Sequence, residues 1–107
     1  MSIGEIAPIY SNFGGDPDMV DLVQVFVDEM PARIDHLAAL VTSADWEQLG
    51  SFAHQMKGAC GSYGFDQLST VAFGVETAVR GGEPLDVVRT AAEELAISFG
   101  NARSGTP

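Results

Sequence analysis

The sequence contains a single cysteine, Cys60, so an internal disulfide is impossible and folding needs no oxidising compartment. It also lacks a run of about 20 apolar residues, the length that spans a bilayer. The first residues have neither the basic start nor the continuous apolar stretch of a signal peptide. These absences predict a cytoplasmic protein that does not insert into membranes.

Positive charge is scarce as well. Five basic residues stand against fifteen acidic ones, giving a formal net charge of -10 at pH 7. Such a surface repels nucleic-acid phosphates and anionic lipid headgroups, so we expect neither as a partner. Any site that holds a phosphoryl group here needs its own local cation. The basic residues are Arg33, Lys57, Arg80, Arg89 and Arg103.

Helical periodicity is the main positive signal. Apolar residues recur at helical spacing in five segments, and no strand alternation interrupts them. The first predicted helix covers 17–30, with Asp16 as its N-cap, and Pro31 separates it from a second helix that ends at 42–44. The remaining predicted helices cover 45–63, 65–80 and a segment that opens at Glu83-Pro84 and buries an apolar stripe from Leu85 to Phe99. The short connections between these helices favour antiparallel neighbours in an up-and-down bundle.

The predicted domain organisation is a single bundle with two less regular ends. Residues 1–15 show no sustained period and are interpreted as a loose arm, in which Ile6, Ile9, Tyr10 or Phe13 could pack onto the bundle. The bundle itself covers 16–102. The polar residues 103–107 are predicted to be a frayed tail.

The third predicted helix carries an exposed histidine. With about 100° between successive side chains, an apolar face from Trp46 to Tyr63 faces the core, and His54 lies almost opposite its centre. Each interior glycine costs a helix about 1 kcal/mol relative to alanine, so stability does not explain the glycines beside this histidine. They predict bare surface that a partner could approach, although close helix packing is an alternative. The residues of this stripe are Glu47, Gly50, Ser51, Gly58 and Gly61.

Lys57 follows His54 by three residues, close enough on a helix for its ammonium to reach groups attached to the imidazole. Neutral imidazole is a nucleophile near pH 7, and a neighbouring cation offsets the charge of phosphoryl oxygens. An exposed histidine, a cation and bare surface therefore suit a phosphoryl carrier. Gly64, in contrast, is explained as a structural left-handed helix terminator.

The segment AHQMKGACGSYGF resembles the phosphorylation motif of histidine phosphotransfer domains. In that motif the histidine is followed by Lys at +3, Gly at +4 and Gly at +10, which here are His54, Lys57, Gly58 and Gly64. The resemblance covers about 17–100, and it includes the Pro31 break and Glu76.

The resemblance implies an all-α fold: an up-and-down antiparallel four-helix bundle with an additional N-terminal helix. It implies that His54 accepts a phosphoryl group from one receiver-domain aspartate and donates it to another, between a hybrid histidine kinase and a response regulator. Lys57 then stabilises the phosphoryl charge. Such a domain is a phosphocarrier, not an enzyme, with no ATP site and no bound cofactor, because the receiver supplies Mg²⁺. The expected docking residues are Gly50, Ser51, Gln55, Gly58 and Gly61.

Two other functions remain open from the sequence. One is an interaction module that binds a receiver or kinase without being phosphorylated, and the other is an excised phosphoacceptor domain of a chemotaxis-type kinase. We expect no metal site, because His54 and Cys60 are about 120° apart on their helix. His36 is expected to be exposed or to face a partner, and Phe73 to belong to an interface or to pack under the fifth helix. The charge and short helices favour a monomer.

Overall fold

The computed structural model describes residues 7–107, most of which are helical. The helices are α1 (Val20–Asp28), α2 (Met30–Thr42), α3 (Trp46–Ser62), α4 (Asp66–Arg80) and α5 (Leu85–Gly100). Helices α2 to α5 close a ring in which each packs against its sequence neighbour and α5 returns to α2, while α1 lies against α2. The predicted all-α bundle with an additional N-terminal helix is confirmed. Across residues 7–107, no helix has the length and apolar character needed to cross a bilayer.

The helix boundaries follow local capping chemistry. The Asp45 carboxylate accepts a hydrogen bond from the Gln48 amide and caps α3. The predicted start of the first helix at residue 17 is wrong, because the Asp16 carboxylate accepts from the Asp18 amide in a preceding turn. The break predicted at Pro31 occurs at Glu29, which leaves the proline in the first turn of α2, where a missing amide proton costs nothing.

The core forms where the apolar stripes of the helices meet. Phe65, Leu37, Leu49, Leu95 and Phe99 are among its fully buried members. The prediction that α5 buries Leu85 is wrong: this residue is 49% exposed, because it is the first residue of the helix.

The two ends of the described chain form a clasp, which we call the terminal strap (residues 9–14 and 101–105). Ile9–Tyr10 pairs in parallel with Ala102–Arg103, and the side chain of Ile9 is buried. The strap also reaches the α3–α4 turn, where the Asn12 amide donates to the Gly64 carbonyl over 2.9 Å. Residues 9–14 of the arm predicted for 1–15 are therefore packed, and Arg103, the first residue of the predicted tail, pairs with Tyr10. The expectation for Ile6 lies outside the described residues.

Cys60 is fully buried in this core, on the inner face of α3. Burial raises the pKa of its thiol from 9.0 to about 12, although the positive charge of Arg33 partly opposes the rise. A thiolate is the reactive form of cysteine, so the folded protein holds this side chain in its inert form. We expect an aromatic disulfide reagent to leave Cys60 unmodified at pH 8 in the native protein and to modify it stoichiometrically in denaturant.

The same shift predicts a loss of stability in alkali. The folded state binds the thiol proton more tightly than the unfolded state, so this contribution is complete below pH 9.0 and is lost as the pH rises towards 12. Within that window the free energy of unfolding should fall by about 1.4 kcal/mol per pH unit on account of this group. Urea titrations at pH 8 to 11 would measure this fall in the free energy of unfolding, in the wild-type protein and in Cys60→Ala. Equal slopes for the two proteins would contradict the prediction.

Candidate functional site

His54 projects from the outer face of α3, and its side chain is 59% exposed. Only one edge of the ring is engaged by the protein among residues 7–107: Nδ1 lies 2.9 Å from Oε2 of Glu76, on α4. The outward orientation inferred from the helical period is the one observed. Glu76 thus holds the imidazole through Nδ1, while more than half of the side chain remains exposed to solvent.

Glu76 is the centre of a small charged cluster. It is a buried carboxylate, 5% exposed, within the otherwise apolar inner face of α4. Nη1 of Arg80 lies 2.9 Å from its Oε2, and Nζ of Lys57 lies 3.7 Å from its Oε1. One carboxylate faces two cations, so the cluster is positive by one charge when His54 is neutral. Two of the five basic residues of this acidic protein therefore meet beside the exposed histidine.

The hydrogen bond from His54 to Glu76 selects the imidazole tautomer. A carboxylate only accepts hydrogen bonds, so Nδ1 carries the hydrogen and donates a hydrogen bond to Oε2. The lone pair then resides on Nε2, at the edge of the ring that faces away from Glu76. Positive charge that develops on the ring during an attack by Nε2 is offset by the carboxylate. The arrangement is suited to nucleophilic attack on an electrophile that arrives from solvent.

The surface around His54 is exposed and partly bare, as the sequence predicted for most of the stripe. Ser51, Gln55, Gly58 and Gly61 are all exposed. A Cβ atom added at Gly58 would meet nothing within 4 Å. Open space therefore lies one helical turn beyond the histidine.

Gly50 does not belong to this open surface. It is buried, and a Cβ atom there would lie 3.3 Å from Cγ1 of Val79 on α4. The helical period placed Gly50 on the exposed stripe, but α4 crosses α3 at this point and covers it. Its expected contact with a partner is corrected to close packing between α3 and α4, the alternative that the sequence left open.

Gly64 ends α3 in a left-handed conformation with φ of 80°. The Phe65 amide donates to the Cys60 carbonyl over 2.8 Å, and the Gly64 amide donates to the Gly61 carbonyl over 3.1 Å. This pair of bonds is the Schellman arrangement, which satisfies the last carbonyls of a helix. The turn fixes where α4 begins relative to His54.

Glu76 and Arg80 were not selected as site residues from the sequence, although the family resemblance included Glu76. A usable signal was present: a glutamate occupies the apolar stripe formed by Ala72, Val75 and Val79. A carboxylate on a buried face needs a charged or hydrogen-bonding partner. The period of α4 does not reveal that this partner is a histidine 22 residues earlier in the chain.

The sequence did not assign a single role to His36 or to Phe73, and the structure places them in different environments. His36 is exposed on α2 and contacts the Phe52 ring edge-on, with ring centroids 4.9 Å apart. Phe73 is 51% exposed, and its ring faces Lys57. Within residues 7–107, no three His, Cys, Asp or Glu side chains come together as a metal site would require.

The fold and the site together define a helical-bundle domain that presents to solvent a histidine held by a buried carboxylate. A family model described as the Hpt domain matches residues 21–104, and the chain belongs to this family. Its members act in histidine phosphotransfer within phosphorelays, where they interact with receiver domains or kinases. No significant match was found among curated proteins or among solved structures.

Proposed function

We propose that this protein carries a phosphoryl group on Nε2 of His54 between the aspartates of two receiver domains, from a hybrid histidine kinase to a response regulator. The observation that carries the proposal is the hydrogen bond between Nδ1 of His54 and the buried Glu76, which leaves Nε2 free at an exposed edge. Exposure matters because the donor is an acyl phosphate inside another protein. The domain acts as a monomer in the cytoplasm.

The transfer is a displacement at phosphorus. The Nε2 lone pair forms the N–P bond while the P–O bond to the donor aspartate breaks, and the electron pair of that bond leaves with the carboxylate. Glu76 offsets the positive charge that develops on the ring, and Lys57 offsets the charge of the phosphoryl oxygens. Transfer to the next receiver is the reverse reaction. The receiver supplies the Mg²⁺ that the transfer requires.

Docking is proposed to use the exposed part of the stripe around His54. Ser51, Gln55, Gly58 and Gly61 surround the imidazole without covering it. At Gly58 the absence of a side chain lets the active-site loops of a receiver approach the backbone of α3. The local excess of positive charge favours an approach by the acidic pocket that binds Mg²⁺ in the receiver.

The direct test is the intact mass of the purified protein after mixing with Mg²⁺ and a receiver domain phosphorylated by a small phosphodonor. We expect a gain of one phosphoryl group that is lost in acid, as an N–P bond requires. No gain from several diverse receivers, with tight binding of one of them, would instead support the interaction module that binds without phosphorylation.

Glu76→Leu should slow transfer to His54 by about tenfold to a hundredfold, because the imidazole loses the bond that fixes its tautomer and orientation. The stability of the fold should change little, since Lys57 and Arg80 are partly exposed and an apolar side chain suits the buried position. Single-turnover transfer from a phosphorylated receiver measures the rate constant. Glu76→Gln is the matched control: it keeps an acceptor oxygen and should lose less. A wild-type rate for Glu76→Leu would show that Glu76 does not act on His54.

A further inference from the structure

Phe73 is an exposed aromatic residue beside the charged cluster. It lies on α4, three residues before Glu76, and 51% of its surface is exposed. The ammonium nitrogen of Lys57 lies 4.6 Å from the centroid of its ring. This distance is within the range in which the negative face of an aromatic ring attracts a cation.

The other contact of Lys57 is too long to fix the ammonium by itself. Its Nζ is 3.7 Å from Oε1 of Glu76, beyond hydrogen-bonding distance, and this oxygen has no hydrogen-bond donor within residues 7–107. The second oxygen of the carboxylate is engaged by His54 and Arg80. The ammonium is therefore held between a carboxylate on one side and an aromatic ring on the other.

We propose that Phe73 is a positioning residue, which holds the Lys57 ammonium beside His54 for phosphoryl transfer. The inference rests on the proposed function. A neutral ring attracts the ammonium without cancelling its charge, whereas a second carboxylate would make the cluster neutral. The attraction is also weak at an exposed position, so the ammonium can move to a phosphoryl oxygen when one arrives.

A different role for Phe73 would be apolar contact with the docked receiver. The two roles differ in their dependence on Lys57. A positioning residue acts through the ammonium, so its replacement has no effect once the ammonium is gone. An apolar contact acts on the partner directly, so its replacement has the same effect with or without Lys57.

The experiment is a double-mutant cycle in single-turnover transfer, with a phosphorylated receiver at increasing concentrations. We expect Phe73→Leu to lower the limiting rate constant by about two- to fivefold, the size of one exposed cation–π contact, with the half-saturating concentration unchanged. Phe73→Tyr keeps the ring and should transfer at the wild-type rate. Phe73→Leu should have no further effect in the Lys57→Gln protein. An unchanged limiting rate, or an effect that persists with Lys57→Gln, would overturn the inference.

A second measurement tests the contact independently of transfer. The ε-carbon of Lys57 is bonded to the nitrogen that lies over the Phe73 ring, so we expect the NMR signals of its protons to be shifted upfield in the wild-type protein and to return to ordinary positions in Phe73→Leu. Absence of the upfield shift would contradict the contact itself. If the wild-type protein took up no phosphoryl group while the shift was present, the proposed function would fail, and the positioning role with it, while the contact would stand.

Discussion

His54→Gln is expected to abolish uptake of the phosphoryl group and to leave the fold unchanged. Glutamine keeps a side-chain N–H that can donate to Glu76, but its amide has no lone pair with the nucleophilicity of Nε2. Because the native side chain is 59% exposed, the free energy of unfolding should change by no more than about 0.5 kcal/mol. Intact mass after incubation with a phosphorylated receiver, together with a urea titration, measures both quantities.

The chain contains its own matched control, because it has two histidines. His36 is also exposed but lies on α2, where it contacts Phe52 and takes no part in the charged cluster. His36→Gln should therefore take up one phosphoryl group at the wild-type rate. Uptake by His54→Gln, or loss of uptake in His36→Gln alone, would place the phosphorylated residue elsewhere.

Gly64→Ala should destabilise the protein by about 2–5 kcal/mol, through two separate effects. An alanine at φ of 80° costs about 1–2 kcal/mol, because its Cβ crowds the backbone. The same Cβ would lie 2.7 Å from Oγ of Ser11 and 2.8 Å from Cδ2 of Phe13, so the terminal strap would have to shift away from the α3–α4 turn. Overpacking of this kind costs about 1–3 kcal/mol. The free energy of unfolding in urea measures the sum.

Gly82→Ala separates the two effects. Gly82 is also left-handed, with φ of 67°, but a Cβ atom there would meet nothing within 4 Å. This variant should lose only the conformational part, about 1–2 kcal/mol. Equal losses for Gly64→Ala and Gly82→Ala would show that crowding against the terminal strap adds no cost.

The local charge at His54 is opposite in sign to that of the whole protein. The net charge of -10 repels phosphate, yet Lys57 and Arg80 outnumber Glu76 in the cluster. The buried carboxylate has two roles in this balance: it holds the imidazole through Nδ1, and it gathers the cations that the proposed phosphoryl group would need. An apolar residue at position 76 would remove both, whereas glutamine would keep an acceptor for the imidazole but would not carry the charge.

The sequence by itself determined the helices and the outward direction of His54. Helical hydrogen bonds are local, so a period of about 3.6 residues in the apolar pattern assigns each side chain to a face. For the same reason the sequence predicted that His54, Lys57 and Gly58 lie close together, since all three lie on one helix. The end of α3 at Gly64 could also be predicted from the sequence, because helix termination depends on a few neighbouring residues.

Tertiary structure alone decided which residues from other elements complete the site. Glu76, with Arg80 bound to it, reaches His54 only because α4 packs antiparallel to α3. The same packing buries Gly50 and places Phe73 against Lys57. The pairing of Ile9–Tyr10 with Ala102–Arg103 joins residues that are far apart in the chain, through backbone bonds that leave no pattern of side chains. A helical period specifies a face but not the neighbour that covers it. Contacts between elements depend on the packing of the whole bundle.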